Sequence, residues 1–174
     1  TTLTDMLPEL PYFFAVLNYS DHQIPALADI FVECGVKTVA ITYIEDLHGI
    51  EYSGMAGKYF GMKGIEIKYV KSHPLGITDM SLLLKEAKAL KVDAFCNFGY
   101  PGETALSTGQ AIELGINFKA FQCNVGPSAH WWPDTFGPAT NGPMAMGSWT
   151  PKQSPATQEF HDKFVEHFGY EPDH

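Results

Sequence analysis

The stretch GVKTVAITYIEDLHGIEYSG, residues 35–54, decides how this chain folds. Positions 36–42 form a run of β-branched and apolar residues broken only by Lys37, as expected of a strand covered on both faces. A helix from about 47 to 60 should follow, although Gly54 and Gly57 weaken it on propensity. A doubly buried strand that passes straight into a helix is the repeating unit of a parallel α/β sheet. The turn between the two carries Glu45, Asp46 and His48 to the carboxyl end of the strand, the edge at which such sheets bind ligands.

The same alternation continues in both directions. Upstream, 12–17 is an apolar, aromatic run suited to a strand, and Ser20 with Gln23 supplies the pattern of a capping box. Ile24, Leu27, Ile30 and Phe31 follow at helical spacing, and Gly35 stands where that helix ends. Downstream, strands are expected at 65–70, 92–98 and 118–121. Between them lie a helix capped by Thr78 or Asp79, bearing Met80, Leu83, Leu84, Ala87 and Leu90, and another opened by Pro101 and stopped by Gly115. Residues 122–142 read as one long loop containing Trp131 and Trp132, with room for a helical turn inside, and 144–149 as extended chain. A last helix opens at Ser154 or Pro155 and carries Phe160, Phe164 and Phe168 on one face before Gly169. The expected fold is α/β: three layers, with a doubly wound parallel sheet of about five strands between helices.

With 174 residues, 45% of them hydrophobic, the chain should form one domain over 1–174 with a sizeable core. A net charge of −9 without any Lys/Arg cluster argues against nucleic acid as a partner. No window approaches the ~18 apolar residues of a membrane span, and the first residues lack the basic start and apolar core of a signal peptide. Cys34, Cys96 and Cys123 are too few and too far apart for a disulfide framework or a metal site. They read as unpaired, small buried hydrophobes at a helix end, a strand interior and a strand end. No G-x-S-x-G, Walker loop, G-x-G-x-x-G or H-E-x-x-H occurs, so nothing points to an enzyme or a cofactor. Asp46-x-His48 with Ser81-x-Leu83 has the outline of a cobalamin motif, but Glu51 stands where its glycine is required. His161, Glu166 and His167 read as a solvated helix surface.

Several segments in order, GVKTVAITYIEDLHGIEYSG, GIEIKYV, GITDMSLLLKEAKALKVDAFCNFGYPGE, QAIELGI and FHDKFVEHFGYEPDH, resemble the C-terminal lobe of a type I periplasmic substrate-binding protein of the branched-chain amino-acid type. The resemblance runs from about residue 12 to the end. It implies one lobe of a two-lobe receptor, joined by three crossings to an N-terminal lobe that is missing here, so that the chain is expected to be a truncated piece. It further implies a small-molecule solute held in the interlobe cleft, a membrane permease of an ABC importer as partner, and a periplasmic or extracytoplasmic location.

The candidate ligand residues follow from strand ends and from that resemblance. His48 stands where the family often places a cleft tyrosine; a solvated loop histidine is the plain alternative. Tyr100, in the turn Phe98-Gly99-Tyr100-Pro101, overhangs the same edge beside helix amides able to meet an anion. Tyr43 ends its strand there, and Tyr19 lies just past the first expected strand. Gln122 and Asn124 occupy the place where the family commonly carries an acid for the ligand ammonium, and they bring no charge. The expected ligand is therefore an amino acid or a related small carboxylate, aromatic ones included, with a solute lacking an ammonium favoured unless Glu45 or Asp46 swings in. Trp131 is a further aromatic candidate, equally able to cover a lobe surface. Two other readings stay open: the sensing lobe of a regulator or receptor, and a flavodoxin-like cofactor domain.

Overall fold

Along Thr38–Ile44 every residue except Thr38 and Tyr43 is buried, as required of a strand with helices packed on both faces. The computed structural model describes residues 7–13 and 18–172. In chain order its elements are α1 (Ser20–Glu33), β1 (Thr38–Ile44), α2 (Leu47–Met62), β2 (Glu66–His73), α3 (Ser81–Ala89) and β3 (Ala94–Phe98). They continue as α4 (Pro101–Glu113), β4 (Ala120–Cys123), α5 (Trp132–Phe136), β5 (Pro143–Met144) and α6 (Pro155–Phe168). All five strands are parallel, in the order β2-β1-β3-β4-β5.

Alternation along the strands sorts the apolar side chains into two cores. Val39 and Ile41 join Ile24, Leu27 and Phe31 of α1 and Tyr52, Ala56 and Phe60 of α2 on one face. Ala40, Phe95 and Phe121 meet Leu84 and Ala87 of α3, Ala111 of α4 and Trp132 on the other. The three-layer, doubly wound α/β fold is thus as expected, with α1 and α2 on one side and α3, α4 and α5 on the other.

The strands expected at 36, 65 and 92 begin one or two residues later, at Thr38, Glu66 and Ala94, and one local motif explains why; the strand expected at 118 also starts later, at Ala120. At four helix ends a residue with positive φ is followed by a buried apolar residue: Gly35 then Val36, Gly64 then Ile65, Lys91 then Val92, Gly115 then Ile116. In each case the amide of the apolar residue donates to a carbonyl five residues back, Phe31, Phe60, Ala87 and Ala111 respectively. This is the left-handed helix terminus in which the residue after the turn packs on the last helical turn. Those apolar residues close helices, and the ladders start only after them.

Other expectations change. Tyr12 lies in a turn and Phe13 is irregular, while the rest of the expected strand at 12–17 lies outside the described residues. Ser20 and Gln23 form no capping box: Tyr19 is the N-cap, its carbonyl accepting the His22 and Gln23 amides, and Ser20 is already the first helical residue. Residues 122 and 123 belong to β4, and the loop after them holds more helix than the one turn allowed for, α5 with short 3-10 turns on either side. Of the extended stretch at 144–149 only Met144 is in a strand. Cys96 and Cys123 are buried as expected but Cys34 is exposed, and all three are unpaired. The last helix does open with a capping box, Ser154 with Thr157, and ends on left-handed Gly169.

Candidate functional site

The sheet order reverses between β1 and β3, whose following helices leave to opposite faces and open a crevice beyond the strand ends. At the end of β1, Asp46 caps α2 by accepting the Gly49 amide at 2.9 Å. A Cβ on Gly49 would lie 2.0 Å from the Ile44 carbonyl oxygen, so only glycine lets the first turn of α2 sit this close to β1. That seating places His48 over the crevice. At the end of β3, Tyr100 is the N-cap of α4 and Pro101 opens the helix.

The groups from the two strand ends meet. The Tyr100 hydroxyl donates to Asp46 Oδ2 at 2.7 Å. Its ring stacks on His48 with centroids 5.1 Å apart, and Tyr52 stands against the His48 ring at 4.5 Å. Asn124, just past β4, donates its Nδ2 to His48 Nε2 at 2.7 Å. Because an amide nitrogen has no acceptor to offer, His48 is the neutral tautomer protonated on Nδ1. Tyr52 in turn donates its hydroxyl to Gln23 Oε1 on α1.

The electrostatics agree with this network. Burial holds the His48 pKa below its ordinary value despite the nearby Asp46 carboxylate. For Asp46, partial burial works to raise the pKa, but hydrogen bonds from the Gly49 amide and Tyr100 hydroxyl outweigh it and the carboxyl titrates low. The hydrogen bond to Asp46 raises the pKa of Tyr100, and burial pushes that of Tyr52 to about 12.

Beside the network is a cavity of about 180 Å³ lined by residues that include Tyr19, Ser20, His48, Glu51, Tyr52, Asn124 and Met146. Three buried polar atoms of these residues, Tyr19 OH, Ser20 Oγ and Asn124 Oδ1, have no hydrogen-bond partner among the described residues. A larger cavity of about 410 Å³, lined by Ile112, Phe118, Lys119 and Asn141 among others, contains none of the candidate residues. The smaller one is the stronger site because unpartnered polar groups converge there.

Of the residues named from sequence, Tyr100, His48, Asn124 and Tyr19 come together. Tyr43 packs against the α1/α2 core instead. Gln122 is fully buried within β4 and does not line the cavity, and both polar atoms of its amide are unpaired among the described residues. Trp131 packs on the α3/α4 core beside Trp132, 5.5 Å away. Glu45 accepts the Ser72 hydroxyl, and Asp46 is engaged by Tyr100. Ser20, Gln23, Glu51 and Tyr52 were missed as ligand candidates. For Glu51 and Tyr52 a signal existed: with His48 they sit at i, i+3 and i+4, one face of α2.

The family profile described as "Periplasmic binding protein" matches residues 1–174. The chain belongs to the periplasmic binding protein family. No curated protein matches it. Among solved structures, the leucine-binding protein LivK of Thermotoga maritima is 25% identical with a TM-score of 0.80, the match covering 91% of this chain and 46% of that one. The leucine-, isoleucine-, valine-, threonine- and alanine-binding protein of Brucella ovis in its closed conformation gives a TM-score of 0.81 at 15% identity, over 94% and 42% of the two chains. A fatty acid ABC transporter substrate-binding protein of Thermomonospora curvata gives 0.76 at 14% identity, over 92% and 43%. The two at lower identity establish the fold alone. This periplasmic binding protein chain spans less than half the length of the structures it matches.

Proposed function

We propose that this chain forms one side of the ligand cleft in the extracytoplasmic solute-binding component of an ABC importer. Its solute is an amino acid or a related small carboxylate. The observation that carries the reading is the meeting of Tyr100, His48, Asn124 and Tyr52 at the β1/β3 crevice, beside a cavity lined with unpartnered polar atoms, in a chain of this family. A second lobe closes over the solute by hinge motion and a membrane permease receives it; no bond is made or broken. Tyr100, His48 and Asn124 are the principal contacts and Tyr19 a further one, while Tyr43, Gln122 and Trp131 support the lobe from its two cores.

A thermal-shift screen of the full-length protein against amino acids, fatty acids and aromatic acids tests this. A binder raises the melting temperature by mass action, and a 100-fold excess over the dissociation constant adds about 2.7 kcal/mol. A flat response across all three solute classes would remove the assignment.

A further inference from the structure

Asn124, just past β4, brings an uncharged amide to the cavity, and the fold brings a carboxylate to it from another element. Glu51 lines it from α2, on the helix face that also carries His48 and Tyr52. We propose that Glu51 is the countercharge for a cationic nitrogen on the solute, so that this half of the cleft takes the ammonium end of an amino acid. The inference rests on the solute-binding reading above and specifies its ligand. It runs opposite to the expectation drawn from the β4 end alone.

The charges around the cavity favour a cation. Among the described residues, Glu51 is the one acidic residue lining it, and neither Lys nor Arg does so. His48 brings no positive charge, because its Nε2 accepts from Asn124. Asp46, at the start of the same helix, adds a second carboxylate engaged by Tyr100 and Gly49. A solute carboxylate placed here would meet charge of its own sign, while an ammonium would meet the opposite sign.

The uncharged groups suit the same occupant. Ser20 and Asn124 are 1% and 2% exposed, and among the described residues Ser20 Oγ, Asn124 Oδ1 and Tyr19 OH have no hydrogen-bond partner. An amide oxygen accepts only, and hydroxyl oxygens can accept, whereas an ammonium has three N–H groups to donate. Tyr52 lines the cavity beside Glu51 and adds an aromatic ring, a group to which cations are attracted. The solute's own carboxylate is left to groups outside this chain.

The test is calorimetry on the full-length protein with the common amino acids, each paired with the deaminated acid of the same side chain. In the pairs that bind, the amino acid should be tighter by at least about tenfold. Glu51→Gln should shrink that ratio at least about tenfold, and Glu51→Asp should restore part of it, with melting temperatures of the unliganded variants reported alongside. Deaminated acids binding as tightly as their partners, or a ratio unmoved in Glu51→Gln, would overturn the inference and leave solute binding standing. Binding by neither member of any pair would remove the solute-binding reading, and this inference with it.

Discussion

His48 has few ways to take up a proton. Its Nε2 accepts from Asn124 Nδ2, its ring lies between Tyr52 and Tyr100, and burial lowers its pKa more than Asp46 raises it. The sign of the resulting pH dependence follows from linkage. The unfolded chain protonates His48 near the ordinary value of 6.5, the folded chain only below it, so stability falls as pH drops through that window. An NMR titration should give a His48 midpoint below 6.5, with the Asn124 amide moving in step. A midpoint at or above that value would mean the ring is protonated in the folded network. Protonation also requires the Asn124 amide to turn its oxygen toward the ring, so solute affinity should decline over the same range.

The recurring helix terminus governs the elements. Three of its four left-handed positions are glycine, and the fourth is Lys91, the non-glycine residue with positive φ among those described. A side chain costs roughly 1–2 kcal/mol in that conformation, which glycine avoids while losing more chain entropy on folding. Lys91→Gly should therefore stabilise the domain by about 0.5–1 kcal/mol, read as a higher midpoint in chemical denaturation. A lower midpoint would show that the Lys91 side chain contributes packing that outweighs its backbone strain. The same motif explains where β1, β2 and β3 begin. Val36, Ile65 and Val92 look like strand residues by hydropathy, but each is spent on sealing the helix before it.

In the reading proposed above, the whole chain is one face of a cleft. The polar network gathers at the carboxyl ends of β1, β3 and β4, where His48, Tyr100 and Asn124 follow their strands. With one wall, a solute keeps part of its water and gains only part of its contacts. The 174-residue chain alone is thus expected to bind amino acids with a dissociation constant above about 1 µM, whereas the full-length protein binds more tightly. Submicromolar calorimetric binding to this chain would show that the single wall suffices. α6 stands apart from this architecture. None of its residues is buried, and Phe160 and Phe168 remain 53% exposed. Its aromatic stripe was plain in the sequence at helical spacing, but periodicity marks a face without saying what lies against it.

The sequence by itself determined the order of strands and helices, because doubly buried strands, helix stops and capping residues are local patterns. It also pointed to Tyr100, His48 and Asn124, since parallel sheets deliver functional residues at strand ends. Tertiary structure alone decided the rest. Gln122 and Asn124 are two residues apart, yet one is sealed in the sheet and the other reaches His48, because the ladder ends between them. Trp131 and Tyr43 turned to the two cores once the helices took their faces. Ser20 and Gln23 became cavity residues through the packing of α1 against α2, whose seating on β1 at Gly49 fixes where it lies. That is a contact between segments distant in the chain, which no local pattern encodes.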